Sequence, residues 1–102
     1  MEDFKRMAIF ASVVEQGSMS GAARLLDMTP SAISQHIRQL EREAGITLLH
    51  RSTRQLSLTD AGQRFYTQCA TMCEAANRAR AELAAERQEP SGELRMSAPA
   101  GF

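Results

Sequence analysis

Four polar residues, Ser31, Ser34, Gln35 and Arg38, have the types and spacing that could do chemistry in this 102-residue sequence. At about 100° per residue they fall on one side of a helix, with Arg42 one turn further along, and none of them is an acid. Hydroxyl, amide and guanidinium groups arranged in this way can hydrogen-bond phosphate oxygens and the edges of DNA bases. The alternative is a solvated surface, because most polar helix faces are only that.

The helix that carries these residues is predicted from Ser31 to about Ala44. Its opposite side is an apolar stripe that predicts a core face: Ile33, Ile37, Leu40 and Ala44. Thr29 is placed to cap the N-terminus, and Pro30 suits the first helical position because its missing N–H would have no partner there. A helix N-terminus carries partial positive charge and attracts phosphate, so Thr29 and Pro30 become candidate contacts to a nucleic-acid backbone.

Two shorter helical segments precede this helix. The first is predicted over residues 2–16, with Gly17 as its stop. The second is predicted from Ser18, its N-cap, to about Asp27, and residues 28–30 form a tight turn into the third helix. The inward stripe of the first helix is Phe4, Met7, Ala8, Ala11 and Val14, with Phe10 at its edge. Two helices across a tight turn predict a helix-turn-helix, which places its second helix in the DNA major groove.

A small hairpin is predicted after the third helix, which ends at Gly45. Residues 48–58 contain two short strands around an exposed turn, and this hairpin is the wing of a winged helix-turn-helix. Arg51 and Arg54 lie at or beside its tip, where they can reach a phosphate or a narrow minor groove. Two arginines in an acid-free hairpin favour this role over simple solubility.

A long helix is predicted from Thr59 and Asp60 to about Arg87. From Ala61 its apolar residues are spaced 4, 4, 3, 4, 3 and 4 apart, which is close to a heptad pattern. One long helix cannot bury such a stripe alone, so the pattern predicts a homodimer; near Phe65 the alternative is packing on the chain's own first helix. The predicted dimer interface is Phe65, Cys69, Met72, Ala76, Ala79 and Leu83.

The charge distribution is more informative than the net charge, which is zero. Zero net charge counts mildly against a nucleic-acid partner. However, residues 28–40 and 44–59 contain arginines and no acid, so a local basic ridge on a neutral chain remains. That ridge predicts modest, salt-sensitive phosphate binding that depends on dimerisation for affinity. The sequence has no run of 18 apolar residues and begins unlike a secretory signal, so we expect no membrane partner and a cytoplasmic location.

Other chemistries lack the residues that they need. Cys69 and Cys73 are two thiols without further ligands nearby, which is an incomplete metal site, and we interpret them as small apolar residues. Neither a Gly-rich phosphate loop nor a nucleophile–base pair is suggested. We therefore expect no enzyme activity, no metal and no cofactor. The remaining alternative is a helical module that docks a protein through its helix-turn-helix surface.

Five segments together resemble the N-terminal domain of LysR-type transcriptional regulators, in order and spacing, over about residues 1–87: 17–23, 29–34, 37–41, 48–51 and 58–62. The resemblance implies a sequence-specific regulator of bacterial transcription, associated with the nucleoid, that binds an interrupted inverted repeat as a homodimer and can form a tetramer in the intact protein. It also implies base readout by Ser31, Ser34, Gln35 and Arg38, and phosphate contacts near Ser18 and Ser20.

The expected organisation has three parts. Residues 1–58 are the winged helix-turn-helix, and residues 59–87 are the linker helix for dimerisation. Residues 88–102 begin with a linker composition and then resemble the hinge into an effector-binding domain, which we expect to be missing from this chain. A small-molecule effector is therefore expected only through that missing domain.

Overall fold

The computed structural model describes residues 2–51 and 56–88, and its mainly helical architecture confirms the predicted fold class. The elements in chain order are α1 (Glu2–Gln16), α2 (Met19–Leu26), α3 (Pro30–Ala44), β1 (Leu49–Arg51), β2 (Leu56–Leu58) and α4 (Asp60–Gln88). The two strands pair antiparallel, with Leu49 opposite Leu58 and Arg51 opposite Leu56. Three helices, a two-stranded wing and a long helix therefore follow one another as in a winged helix-turn-helix.

The helix ends are set by the capping residues that the sequence indicates. The Ser18 hydroxyl accepts a hydrogen bond from the Gly21 N–H at 2.9 Å, and the Thr29 hydroxyl accepts one from the Ala32 N–H at 3.1 Å. Gly45 has φ +69° and donates its N–H to the Glu41 carbonyl, which closes α3 with a left-handed residue. These caps fix where α3 begins and ends, and hence which of its residues face outward.

The core lies between the first three helices. Ile33, Ile37 and Leu40 are buried as predicted, whereas Ala44, in the last turn of α3, is exposed. The predicted stripe on α1 is partly wrong: its main buried residues are Ile9, Phe10, Ala11 and Val13, and Phe4 is 52% exposed. The reason is that α1 packs on both α2 and α3, so its buried face is wider than one stripe and centres on Phe10.

The chain divides into two compact units, one ending at Thr71 and the other beginning at Met72. The helix α4 contributes its first turns to the first unit and residues 72–88 to the second. The first unit thus holds α1 to β2 together with the beginning of α4, while the predicted boundary between residues 58 and 59 stays a prediction.

Candidate nucleic-acid interface

The polar face of α3, defined by Ser31, Ser34, Gln35, Arg38 and Arg42, points to solvent. Ser34 is half-buried and the other four residues are exposed, while the opposite side of the helix is in the core. The face thus presents hydroxyl, amide and guanidinium groups in one row with no acid among them. Such a row can hydrogen-bond base edges or phosphate oxygens without rearrangement of the core.

A cleft of about 450 Å³ adjoins this face and brings a further arginine beside it. Gln35, Arg38 and Arg42 line the cleft together with Arg6, which reaches it from α1. The remaining lining residues are Ala32, His36 and Gln39, so the cleft has three arginines and no acid. Arg6 was not predicted from the sequence, because nothing local indicates that a residue in the first helix lies beside the third.

Arg42 is oriented by its neighbours along α3. Its Nη2 donates to Gln39 Oε1 at 2.5 Å, and Gln39 Nε2 donates to Glu43 Oε2 at 2.9 Å. Glu43 Oε2 also lies 3.6 Å from Arg6 Nη1. Since the negative charge of Glu43 is turned toward Arg6 and Gln39, the charge of Arg42 is left available to an anion. Exposed pairs of this kind are worth little for stability, so their effect is mainly orientation.

The other candidate backbone contacts surround the N-terminal ends of α2 and α3. Thr29 and Pro30 are exposed at the start of α3, and Ser20 is exposed in the first turn of α2. Ser18 is half-buried and its hydroxyl oxygen caps α2, which leaves the hydroxyl hydrogen able to donate to a phosphate.

The wing is present as a pair of strands of three residues each. Arg51 ends β1, where its backbone pairs with Leu56 of β2. Arg54, the other predicted wing arginine, lies outside the described residues, as does the rest of the turn, residues 52–55. Its predicted position at the wing tip therefore stays a prediction.

The base of the wing is held by two residues that the sequence reasoning did not identify, Glu41 and Gly62. Glu41 Oε2 accepts from the N–H groups of Leu48 and Leu49. On the other side, the Leu48 carbonyl accepts from the Thr59 N–H, and the buried Gly62 packs directly against it. The sequence signal that could have pointed to Glu41 was its position between the acid-free residues 28–40 and 44–59. We call Glu41, residues 47–49, Thr59 and Gly62 the wing junction.

The apolar stripe of α4 changes character along its length. Phe65 is half-buried, with its ring centroid 5.3 Å from that of Phe10, and Cys69 has no exposed surface. In the single chain Cys69 therefore offers no surface to a partner, and its assignment to the dimer interface stays a prediction. For Phe65 the alternative interpretation, packing on the first helix, describes its contact.

In the second unit the same stripe is open to solvent. Met72 is half-buried, Ala76 and Ala79 are exposed, and Leu83 is 70% exposed. A large, exposed leucine beside two exposed alanines is an apolar stripe that lacks cover within its own unit. This α4 stripe, now defined as Met72, Ala76, Ala79 and Leu83, keeps the features from which we predicted pairing with a second copy.

Neither a metal-binding cluster nor a membrane-spanning helix is found in the described parts of the chain. Within residues 2–51 and 56–88, His, Cys, Asp and Glu side chains form no group of three or more that could hold a metal ion. In the same ranges, no helix is long and apolar enough to cross a membrane.

Comparison with known protein families identifies the family to which the chain belongs. The family of bacterial regulatory helix-turn-helix proteins of the lysR type matches residues 4–63, which contain most of α1, all of α2 to β2 and the start of α4. The chain therefore belongs to the LysR family of bacterial regulatory helix-turn-helix proteins. The resemblance noted in the sequence is confirmed by this match.

Individual relatives agree with this placement. The chain is 45% identical over 96 residues to the HTH-type transcriptional activator AaeR of Escherichia coli, a match that covers 94% of this chain and 31% of AaeR. It is 38% identical over 92 residues to the HTH-type transcriptional regulator CrgA of Neisseria meningitidis, covering 90% of this chain and 31% of CrgA. The chain thus spans about a third of the length of these relatives.

Two solved structures of similar fold are DNA complexes. The BenM DNA-binding domain bound to catB site 1 superposes with a TM-score of 0.76 at 26% identity, covering 86% of this chain and 98% of that one. The CbnR DNA-binding domain in complex with DNA has a TM-score of 0.70 at 32% identity, covering 83% and 98%.

Proposed function

We propose that this chain is the DNA-binding part of a transcriptional regulator that recognises a specific duplex sequence as a homodimer. The observation that carries the proposal is the exposed, acid-free polar face of α3 beside a cleft with three arginines. A helix with this surface fits the major groove, where side chains reach base edges, while neighbouring basic groups contact phosphates. The two relatives whose structures contain DNA support the same use of the fold.

The roles divide between base edges and the DNA backbone. Arg38 has the donor geometry for a guanine, and Gln35 has the paired donor and acceptor that suit an adenine. Ser31 and Ser34 are short hydroxyl residues near the start of α3, where the helix approaches the bases closely. The wing serves the flanking backbone or minor groove. The proposed backbone and wing contacts are Ser18, Ser20, Thr29, Pro30, Arg42, Arg51 and Arg54.

Dimerisation and regulation are proposed for an intact protein of the relatives' length. Pairing through the α4 stripe joins two copies of the chain, and two copies carry two α3 helices, which suits an interrupted inverted repeat. A tetramer, a small-molecule effector and control of a promoter in the bacterial nucleoid depend on regions beyond the third of the relatives' length that this chain spans. They follow from membership of the family and are proposed for the intact protein only.

The test begins with selection of bound duplexes from a random pool, which gives the preferred half-site and its spacing. On that duplex, Arg38→Ala is expected to cost about 1–3 kcal/mol and to relax preference at one base pair. Arg38→Lys keeps the charge but loses the two-pronged donor geometry, so it should lose the preference and retain the salt dependence of binding. Fluorescence anisotropy titration at several salt concentrations measures both quantities.

The matched control is Arg78→Ala, which removes the same charge from an exposed position of α4. It should leave the base preference unchanged. If Arg38→Ala binds the selected duplex as the parent does, Arg38 is not a base contact. If no duplex binds with salt-dependent affinity, DNA recognition itself is wrong and a protein-docking function takes its place.

A further inference from the structure

The wing is too small to hold its own position. Each of its strands has three residues, and an isolated two-stranded hairpin is at best marginally stable in water. The position of the wing relative to α3 must therefore come from contacts outside the hairpin. Such contacts are found at the wing junction, where the chain leaves α3 and enters β1.

One carboxylate supplies the contact from the side of α3. Glu41 Oε2 accepts from the Leu48 N–H at 2.8 Å and from the Leu49 N–H at 3.2 Å. The side chains of Leu48 and Leu49 are 5% and 1% exposed, and both hydrogen bonds are part-buried. Hydrogen bonds to an ionised acceptor are shorter and stronger than neutral ones. A single oxygen thus ties two successive peptide groups of the wing entrance to the recognition helix.

The same segment is held from the opposite side by the start of α4. The Leu48 carbonyl accepts from the Thr59 N–H at 3.1 Å, and the Thr59 hydroxyl donates to the Thr47 carbonyl at 2.7 Å. Leu48 is consequently fixed at both its backbone N–H and its backbone C=O. Loss of the contact from Glu41 leaves the contact from Thr59, which comes from the α4 side and does not tie the wing entrance to α3.

We propose that Glu41 is a positioning residue for DNA binding, whose carboxylate sets where the wing lies relative to the polar face of α3. This inference rests on the proposed function, because it concerns the wing's contact with DNA. In this role Glu41 touches no base. It keeps the wing and the recognition helix at the spacing that lets both reach one duplex.

The direction of the change in DNA affinity distinguishes a positioning role of Glu41 from a simple effect of its charge. An acid beside a DNA-binding face repels phosphates, so its removal alone should strengthen binding. The proposed role predicts the reverse for Glu41: loss of the carboxylate weakens binding because the wing is displaced. Asp27 provides the matched control, since it is an exposed acid at the C-terminal cap of α2, beside the turn into α3, where its left-handed backbone also suits asparagine.

The experiment compares Glu41→Leu, Glu41→Gln and Asp27→Asn on the selected duplex. Glu41→Leu keeps the approximate size but offers no acceptor, and we expect about tenfold weaker binding. In hydroxyl-radical footprinting, its protection should persist at the nucleotides that face α3 and disappear at the flanking nucleotides that face the wing. Glu41→Gln keeps an oxygen at the same reach and should restore much of the flanking protection. Asp27→Asn should bind equally or more tightly, with the footprint unchanged.

A second readout separates this inference from the proposed function. Amide hydrogen exchange in the free protein should show faster exchange at Leu48 and Leu49 in Glu41→Leu, with α3 still protected. If the flanking footprint of Glu41→Leu matches that of the parent, Glu41 does not position the wing. If the parent itself protects no flanking positions, the proposed DNA contact of the wing is wrong. Unchanged exchange at the Leu48 and Leu49 amides would show that the hydrogen bonds to Glu41 do not hold the wing entrance.

Discussion

Ala79→Glu is expected to convert a dimer of this chain into a monomer. Ala79 is exposed in the second unit beside Leu83, which is 70% exposed, and Ala76 lies on the same side of the helix. If this stripe forms the interface, symmetry brings both introduced glutamates into it, each an unpaired charge that loses its water. Leaving a buried charge without a partner costs about 3–5 kcal/mol. The dissociation constant of the dimer should therefore rise by about two to three orders of magnitude or more, as sedimentation velocity measures.

Ala81→Glu is the matched control. It places the same side chain on the same helix about 200° around the axis from Ala79, at another exposed alanine. Both variants should keep the helical circular dichroism of the parent, and Ala81→Glu should keep its sedimentation coefficient. A dimer that survives Ala79→Glu unchanged would place the interface on another surface.

The sequence was sufficient for the features that depend on nearby residues. The caps at Ser18 and Thr29 and the stop at Gly45 were predicted because each acts within one helical turn. The polar face of α3 was predicted because periodicity alone decides which residues share a side of a helix. The direction of that face followed from the apolar stripe opposite to it.

The features that the sequence did not reveal depend on residues far apart in the chain. Periodicity groups Phe65 and Cys69 with Leu83, but it does not say how far the first unit covers α4. Arg6 lies in the cleft beside Gln35 because α1 crosses α3, which no local pattern encodes. The two hydrogen bonds of Glu41 span seven and eight residues across a helix end, so the acid looked like an ordinary exposed charge.

Gly62→Ala tests the wing junction because the change has two opposite effects on stability: alanine is the better helix former, but its Cβ clashes with the wing entrance. In an exposed helix this change stabilises by up to about 1 kcal/mol, because glycine is a poor helix former. Here a Cβ at residue 62 would meet the Leu48 carbonyl oxygen well inside van der Waals contact. That oxygen accepts from the Thr59 N–H, and the N–H of the same peptide group, that of Leu49, donates to Glu41, so the oxygen has little room to move. We expect the clash to dominate, with a net loss of about 1–3 kcal/mol in the free energy of unfolding.

Urea denaturation followed by circular dichroism measures this loss, at one protomer concentration because dimerisation shifts the apparent stability. Gln63→Ala is the control for a change to alanine in the same turn; its side chain is exposed, and its effect should stay within about 0.5 kcal/mol. At temperatures where Gly62→Ala remains folded, displacement of the Leu48 carbonyl should also weaken protection of the flanking DNA, as Glu41→Leu does. A gain in stability would mean that α4 and the wing entrance separate at little cost, and the junction would then not be the rigid support on which the position of the wing depends.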